Sequence, residues 1–361
     1  MIRILHAADL HLDSPFAALA PEQAAQRREE QRQMVLRLAE ECNRLDCQLL
    51  LLAGDLFDSD LIYRETAEML CQTLGGVWAH VFIAPGNHDP WSAASPYATL
   101  RWPDNVHIFR SRSFEAVELE DIHATVYGAA FLEPHESDML QGFLASASDS
   151  KKIMVLHGTL DDPGSPYNPI SQKDVEVSGL DYLALGHIHR RESRVIGRTT
   201  VVNPGCPMGR GFDETGPKGV CYVELDEEGC RVTPMDLGCR VYESLSVPVT
   251  QEPLVAIEAA LPENTARDIY RITLTGSCPT PDLEALRAAL APRFYGLELI
   301  DSTLPPLELW KDAGEDSLKG EYLRQLKLCY EADEDERTRR LVSQAARIGV
   351  ALMEGREVPE L

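Results

Sequence analysis

Histidine and carboxylate side chains cluster at the ends of several apolar runs that the sequence predicts to be β-strands. The clusters are Asp9-Leu-His11, Gly54-Asp55, Gly86-Asn87-His88-Asp89, His157-Gly158 and Gly186-His187-Ile-His189. In open α/β sheets the carboxyl ends of the strands share one edge, and the loops that follow them shape the ligand site. We therefore expect these residues to meet in one cleft, where the glycines allow tight turns.

The residue types in these clusters are those of a catalytic metal site. Imidazole nitrogens with Asp and Asn oxygens, and without a thiolate, suit a divalent ion such as Mn²⁺, Fe²⁺ or Zn²⁺. Asp9 and His11 lie two residues apart, as do His187 and His189, so on extended backbone each pair would point the same way. The ligands suffice for two ions. Two ions about 3.5–4 Å apart can hold a hydroxide and clamp a phosphate, provided that one carboxylate bridges them.

The elements that would position these residues are those of a sheet-based α/β core. Short apolar runs alternate with helical periodicity up to about residue 236. Strands are predicted at residues 2–8, 48–53, 80–84, 152–156 and 181–185, and helices at 21–45 and 65–74. The runs 199–202, 219–225 and 230–235 predict antiparallel strands that close the core. Residues 159–174 contain three prolines and are expected to form an ordered, irregular loop.

The spacing of the elements divides the chain into three predicted domains. Residues 1–240 carry all of the metal-site candidates. Residues 241–304 alternate strand, helix, strand, helix and strand, which predicts a small separate α/β accessory domain. Residues 305–361 begin at Pro305-Pro306 and are predicted to form a helical tail. Its apolar stripe through Tyr322, Leu323, Leu326 and Tyr330 would either pack on the core or serve a partner.

Composition and charge limit the class of protein. The 361 residues are 44% hydrophobic and 25% charged, which is typical of a globular chain. No apolar run approaches the roughly 20 residues of a membrane span. Nine cysteines without a C-x-x-C pair, and no secretory signal, predict a cytoplasmic protein. The formal net charge of −24 argues against a simple electrostatic DNA binder, but not against an enzyme whose metals supply positive charge.

The order of the motifs resembles that of a known family. D-x-H, G-D-x-x-D, G-N-H-D, H and G-H-x-H follow one another as in the calcineurin-like metallophosphoesterases. The opening I-L-H-A-A-D-L-H-L-D-S-P-F and the segments beginning at Asn203 and Glu214 are similar to bacterial DNA repair exonucleases of the SbcD and YhaO kind. The resemblance implies a four-layer αββα sandwich with a small α/β capping domain and a helical C-terminal tail.

The resemblance also implies two ligand sets joined by a bridging carboxylate. Asp9, His11 and His189 would hold one metal, Asn87, His157 and His187 the other, and Asp55 would bridge them. His88 would face the scissile phosphate, where it can stabilise the transition state or protonate the leaving oxygen. Asp89 would orient His88. One position departs from part of the family, because archaeal and eukaryotic relatives have a catalytically helpful histidine where this chain has Asp58.

The activity that the resemblance implies is metal-dependent DNA phosphodiester hydrolysis by a bridging hydroxide, as an exonuclease with endonuclease activity as a further capacity. The expected cofactors are two divalent ions, Mn²⁺ before Fe²⁺ or Zn²⁺. The expected partners are DNA and an SbcC-like or YhaN-like coiled-coil ATPase, which would supply most of the affinity for DNA. The resemblance is also compatible with a homodimer. Arg190, Arg191 and Arg210 are candidate DNA contacts, although a basic turn in solvent explains Arg190 and Arg191 equally well.

Two other functions remain open at this point. The negative charge is compatible with a phosphodiesterase that acts on a small molecule or nucleotide, whereas the aspartate of G-N-H-D disfavours a phosphoprotein phosphatase, which usually has glutamate there. A metal-bound scaffold or DNA-end sensor without turnover is the third alternative. It is disfavoured because all seven predicted ligands and His88 are present.

Overall fold

The computed structural model describes residues 1–59, 62–249, 252–278, 281–303, 309–332 and 335–355. The chain separates into two compact units, Met1–Glu243 and Ser244–Leu361. The first unit contains every predicted metal ligand. The domain boundaries predicted after residues 240 and 304 stay predictions, and the second of them lies outside the described residues.

The first unit alternates strands and helices along the chain. Its first strands are β1 (Ile2–Ala7), β2 (Leu49–Leu52), β3 (His80–Ile83), β4 (Val106–Ile108), β5 (Glu115–Leu119), β6 (Ala124–Gly128) and β7 (Lys151–His157). Its later strands are β8 (Thr159–Leu160), β9 (Pro169–Ile170), β10 (Tyr182–Gly186), β11 (Glu192–Ile196), β12 (Thr199–Asn203), β13 (Val220–Leu225) and β14 (Cys230–Met235). Its helices are α1 (Pro21–Arg44), α2 (Arg64–Gly75), α3 (Pro96–Thr99) and α4 (Gln172–Val177).

Two six-stranded sheets form the framework of this unit. The first sheet has the order β14-β13-β1-β2-β3-β4, in which β1 to β4 run parallel and β13 and β14 are antiparallel. The second has the order β11-β12-β10-β7-β6-β5, with a parallel centre and antiparallel edges. Parallel strands place their carboxyl ends at one edge, so the loops after β1, β2 and β3 and those after β7 and β10 can converge.

Apolar side chains arrange the sheets and helices in four layers. The four leucines of β2 are fully buried, as expected for a parallel strand covered on both faces. One cluster packs α1 and α2 on the first sheet through Met34, Leu38 and Leu70. A second cluster lies between the sheets, and a third packs Val175 of α4 on the second sheet. The predicted α/β sandwich is confirmed.

The second unit has its own small sheet and a helical hairpin. Its strands are β15 (Tyr242–Val249), β16 (Ile269–Gly276) and β17 (Gly296–Asp301), and its helices are α5 (Pro253–Ala260), α6 (Leu283–Leu290), α7 (Leu318–Ala332) and α8 (Glu336–Met353). The strands follow the order β15-β16-β17 and share an apolar core with α5 and α6. These elements agree with the strand and helix pattern predicted for residues 241–304.

The apolar stripe of the tail is covered within the tail itself. Leu323 is buried against Ala346 and Val350 of α8, and Tyr322 and Leu326 pack on the same cluster. The ring of Tyr330 lies 5.6 Å from that of Trp310. The stripe therefore packs against α8 and Trp310 within the tail. No helix within the described ranges is long and apolar enough to cross a membrane.

Two local predictions differ from the structure. The strand at 199–203 pairs parallel with β10 and is antiparallel only to β11, so it belongs to the centre of the second sheet. Strands β4, β5, β6, β8, β9 and β11 have no counterpart among the predicted elements, and β8 pairs with β9 inside the segment 159–174 that was expected to be irregular. These strands have two to five residues, which is too short for a periodic pattern to be recognised.

Candidate metal centre

The predicted ligands lie on five loops or strand ends at the shared edge of the two sheets. Asp9 and His11 follow β1, Asp55 follows β2, and Asn87 follows β3, all from the first sheet. From the second sheet, His157 ends β7, and His187 and His189 follow β10. The structure therefore brings all seven predicted ligands into one place, as the strand-end argument expects.

The backbone at these ligands is bent rather than extended. Asp9, His11, Asp55 and His187 have φ angles of 55°, 45°, 52° and 98°. Residues other than glycine rarely adopt this left-handed region, and such strain concentrates at functional sites. The expectation that Asp9 and His11 share an extended strand is thus wrong, since β1 already ends at Ala7. Their side chains converge because the turn after β1 bends them together.

Close backbone packing beside the ligands explains one glycine in particular. A Cβ atom at Gly86 would lie 2.2 Å from Oδ1 of Asp55 and 2.7 Å from its backbone nitrogen. No side chain can occupy that space without moving the carboxylate. The G-N-H-D turn therefore needs glycine in order to approach Asp55.

The first ligand group contains Asp9, His11 and His189. The Nε2 atoms of His11 and His189 face each other at 3.1 Å. Nδ1 of His189 donates to Oε1 of Glu214 at 2.6 Å, and Nδ1 of His11 lies 3.1 Å from Oδ1 of Asp58. With the protons on Nδ1, both Nε2 atoms present lone pairs to each other. Asp9 adds an oxygen 3.9 Å from Nε2 of His189. A cation fits this donor set.

The second ligand group contains Asn87, His157 and His187. Nδ1 of His157 donates to the carbonyl of Ala53 at 2.8 Å, so Nε2 is the nitrogen that faces the cleft. That Nε2 atom lies 2.9 Å from Oδ1 of Asn87, and Nδ1 of His187 lies 3.0 Å from the same oxygen. A metal ion that displaces the proton of His157 would be held by these two nitrogens and the amide oxygen. The second group therefore also fits a metal ion.

Asp55 lies between the two groups. Its Oδ2 atom is 3.8 Å from Nε2 of His11 in the first group and 3.4 Å from Nε2 of His157 in the second. Its Oδ1 atom accepts the backbone N–H of His88 at 2.9 Å, which fixes the orientation of the carboxylate. This is the position that a bridging ligand requires.

The electrostatics of the buried residues favour positive charge in the cleft. Burial by itself would lower the pKa of His157, but Asp55 and Asp9 raise it to about 9. Burial and the neighbouring His157 lower the pKa of His187 to about 4. Burial disfavours the ionised form of Asp55, yet the adjacent His157 lowers its pKa well below the usual range. Burial raises the pKa of Asp9, so it is the ionised carboxylate of Asp55 that attracts a cation, which displaces protons when it binds.

Comparison with known proteins agrees with this geometry. The sequence model of the calcineurin-like phosphoesterases matches residues 2–191, more than half of the chain. The chain belongs to the calcineurin-like phosphoesterase family. It is 30% identical over 316 residues to the uncharacterized metallophosphoesterase YhaO of Bacillus subtilis strain 168, an alignment that covers 80% of this chain and 75% of that protein.

Two solved structures align with the chain at low sequence identity. A novel archaeal phosphodiesterase aligns at a TM-score of 0.35 with 14% identity, over 65% of this chain and 100% of that one. The phosphoesterase YfcE of E. coli aligns at a TM-score of 0.33 with 17% identity, over 66% of this chain and 94% of that one. From its family and its relative YhaO, this metallophosphoesterase is a metal-binding hydrolase that acts on phosphoesters at a di-metal centre.

His88 of this metallophosphoesterase lies beside the ligands without belonging to either group. Its exposed ring packs edge-on against His11, with 4.8 Å between the ring centroids. Its Nδ1 atom donates to the backbone carbonyl of Asp58 at 2.8 Å. This bond leaves Nε2 directed away from the loop that carries Asp58. The ring can therefore hold or transfer a proton at a substrate oxygen.

The role predicted for Asp89 differs from what the structure shows. Asp89 is buried and makes no hydrogen bond to His88; the carbonyl of Asp58 orients the imidazole instead. The Asp89 carboxylate accepts the hydroxyl of Tyr97 and four backbone amides at 2.7–3.2 Å, those of Asp55, Leu56, Phe57 and Gly86. Asp89 therefore fastens the loop after β2 to the loop after β3.

Arg210 also has a different environment from the one expected of a DNA contact. Its Nη1 atom contacts Oδ1 of Asp58 at 2.5 Å, and its Nη2 atom contacts Oε1 of Glu214 at 3.0 Å. We call Asp58, Arg210 and Glu214 the arginine bridge. Burial disfavours the ionised form of Glu214, but His189 and Arg210 lower its pKa well below the usual range. The bridge thus links the two carboxylates that orient His11 and His189.

The other two arginines lie on the turn after His189. Arg190 is exposed, whereas Arg191 is half-buried with its Nε atom shielded from solvent. Glu214 was not among the predicted site residues. It lies 25 positions after His189 and follows no strand end, so its spacing gives no signal. Its segment E-T-G-P-K-G contributed to the family resemblance, and that resemblance was the sequence signal that could have identified Glu214.

Proposed function

We propose that this metallophosphoesterase hydrolyses DNA phosphodiesters as an exonuclease, with endonuclease activity as a further capacity, and works with a coiled-coil ATPase. The observation that carries the chemistry is the placement of Asp55 between two groups of imidazole and oxygen donors, with His88 exposed beside them. This arrangement suits in-line attack on a phosphate that both groups contact through their ions.

Each residue of the site has a distinct role in the proposed hydrolysis. Two bound divalent ions, Mn²⁺ first and Fe²⁺ or Zn²⁺ as alternatives, would activate water and neutralise phosphate charge. Asp55 holds the two ligand groups at a fixed separation. His88 contributes the proton for the leaving oxygen through Nε2, because Nδ1 is committed to the carbonyl of Asp58. Asp89 maintains the spacing between Asp55 and His88 by fastening both loops.

Sequence similarity supports the choice of DNA as substrate. The opening segment and the G-D-L-F-D motif are similar to repair exonucleases of the SbcD and YhaO kind. The relative YhaO is 30% identical and is itself an uncharacterized metallophosphoesterase. The choice of DNA as substrate therefore depends on motif similarity, and cleavage of DNA by the purified protein tests it.

An ATPase partner would explain how a chain with a large negative charge acts on DNA. A formal net charge of −24 disfavours binding to a polyanion, so most of the affinity for DNA would come from the partner. Several large apolar side chains of the tail remain exposed for such a contact, including Leu318 and Leu328 on α7 and Leu341 on α8. An affinity-tagged chain should retain an SbcC-like or YhaN-like ATPase from its native cell. Its absence from every such purification would contradict this part of the proposal.

The nuclease proposal is tested by comparing the Mn²⁺-loaded wild type with His88→Ala. We expect the wild type to degrade end-labelled single- or double-stranded DNA, and His88→Ala to lower kcat by about 10²–10⁴-fold. The variant should retain two Mn²⁺ per chain, because His88 is not a ligand. His80→Ala, an exposed histidine at the start of β3, is the matched control and should behave like the wild type.

A small phosphodiester or nucleotide is the second candidate substrate. Two observations favour it: the net negative charge, and the engagement of Arg210 by Asp58 and Glu214. Turnover of a chromogenic diester while DNA stays intact, with and without the ATPase, would decide for the small substrate. DNA cleavage that His88→Ala abolishes would decide for the nuclease.

A further inference from the structure

A histidine and a tyrosine face each other in the layer between the two sheets. His6 lies on β1 and Tyr182 on β10, and both side chains are fully buried. Nδ1 of His6 lies 2.8 Å from the hydroxyl oxygen of Tyr182, and Nε2 lies 3.1 Å from the backbone carbonyl oxygen of Leu185. His6 therefore contacts β10 at two points along that strand.

The direction of both hydrogen bonds follows from the chemistry of the partners. Burial lowers the pKa of His6 to about 3, so the ring is neutral and carries one N–H. A carbonyl oxygen can only accept, so Nε2 donates to Leu185 and Nδ1 accepts from the hydroxyl of Tyr182. Both ring nitrogens and the hydroxyl thus have partners, which offsets the cost of burying them.

The apolar neighbours of this pair give no directional preference. Ile4, Ala8 and Ala184 belong to the same cluster between the sheets. Apolar contacts tolerate small displacements of one strand along another, because the hydrophobic effect is not directional, whereas a hydrogen bond weakens steeply when its geometry changes. Two hydrogen bonds from one ring to two points of β10 therefore define how far β10 extends relative to β1.

The two strands that His6 connects lead directly into the metal centre. Asp9 follows His6 by three residues, and His187 is the first residue after β10. The amide of His187 donates to both carboxylate oxygens of Asp9, at 3.0 and 3.1 Å. The strand ends are packed closely, since a Cβ atom at Gly186 would lie 2.8 Å from Cβ of Ala8. A displacement at His6 would therefore move Asp9 relative to the ligands that follow β10.

We propose that His6 is a positioning residue of the metal centre, which fixes the ligands after β1 against those after β10. The first ligand group depends on this alignment because it takes Asp9 and His11 from one sheet and His189 from the other. The second group draws both of its histidines from the second sheet, so it depends less on His6. This inference rests on the proposed di-metal centre and is independent of the choice between DNA and a small substrate.

The test variant replaces the polar pair by an apolar pair of similar volume. His6→Leu combined with Tyr182→Phe removes both hydrogen bonds without leaving an unpaired polar atom on either side chain, which limits the loss of stability. Thr199→Val at the amino end of β12 is the matched control, because its buried hydroxyl donates to the carbonyl of Leu180 at 2.8 Å. Variant and control each take one side-chain donor from a backbone carbonyl, that of Leu185 or Leu180, so we expect similar small losses in Tm.

Two measurements well below Tm distinguish positioning from stability. In a calorimetric Mn²⁺ titration, the double variant should bind the ion of the first group about tenfold more weakly, and the other ion should change less than about threefold. In the metal-free double variant, the amide of His187 should exchange about fivefold faster by NMR, because its hydrogen bond to Asp9 is loosened. Thr199→Val should match the wild type in both measurements.

The outcomes that contradict the proposal are distinct from a failure of the metal centre itself. Wild-type values for the double variant in either measurement would overturn it, as would an equal loss for both ions or an equal change in Thr199→Val. If the double variant does not fold, Tyr182→Phe alone decides, with smaller changes in the same direction. If the wild type binds no Mn²⁺, the di-metal proposal fails, and exchange at His187 in the metal-free protein still tests the alignment.

Discussion

The two ligand groups of the metal centre are supported in different ways. In the first group, carboxylates hold the histidines: Asp58 faces His11, Glu214 accepts from His189, and Arg210 connects the two. In the second group, the backbone carbonyl of Ala53 accepts from His157. An imidazole whose N–H is bonded to a carboxylate donates its electron pair to a metal ion more strongly than one whose N–H is bonded to a carbonyl. The first group should therefore bind its ion more tightly, and side-chain changes should separate the two sites.

The largest effect is expected where the two groups meet. Asp55→Ala removes the carboxylate whose Oδ2 atom lies within 4 Å of both His11 and His157, so both sites should weaken together. We expect kcat to fall on the order of 10³-fold and the Mn²⁺ content to drop below two per chain. Elemental analysis measures the Mn²⁺ content, and phosphodiester turnover measures kcat. Retention of two tight ions would show that Asp55 does not bridge.

Loss of a supporting carboxylate should affect one site only. Glu214→Gln keeps the shape of the side chain but removes the charge that His189 faces, and should weaken the first ion by about 10–100-fold. The second ion should bind as in the wild type, so a calorimetric Mn²⁺ titration should show a smaller gap between its two steps, or their inversion. Glu118→Gln, an exposed carboxylate on β5, is the control. Parallel weakening of both steps would remove the distinction between the groups.

Arg210→Gln tests the arginine bridge at its centre. Without the guanidinium, Asp58 and Glu214 keep their contacts to the histidines but lose the cation between them. We expect the affinity for the first ion to change only several-fold, below the loss caused by Glu214→Gln. The KM for DNA should stay within twofold of the wild type. A selective rise in KM at saturating Mn²⁺ would instead restore Arg210 as a DNA contact.

The smallest effect on metal affinity is expected from the support of the second group. Nδ2 of Asn168 donates to the carbonyl of His157 at 2.8 Å, and its Oδ1 accepts from the amide of Met139. Asn168→Ala should cost about 1–3 kcal/mol of unfolding free energy and lower Tm by about 3–10 °C. Mn²⁺ affinity should change less than threefold at temperatures well below Tm. A large loss of affinity for the second ion would mean that this group also depends on a side chain.

The sequence was informative where chemistry coincides with regular structure. The structure brings the seven predicted ligands together because each follows, or ends, an apolar strand, and strand ends meet at one edge of a sheet. Glu214 was not predicted as a site residue because it acts through a contact between distant segments, and no spacing within the chain encodes such a contact. Asp89 was assigned the wrong neighbour for the same reason: proximity in sequence placed it beside His88, whereas packing turned its carboxylate toward the amides of the preceding loop.

The origin of the ligands gives the centre a mechanical role as well. Each group combines residues from both sheets: Asp9 and His11 join His189, and Asn87 joins His157 and His187. A bound ion would therefore cross-link the two halves of the sandwich. Separating the sheets would then require the coordination bonds to break, so amide exchange along the facing strands should slow when metal is bound, and neither half alone could retain an ion. Metal loading would in this way set the resistance of the whole sandwich to opening.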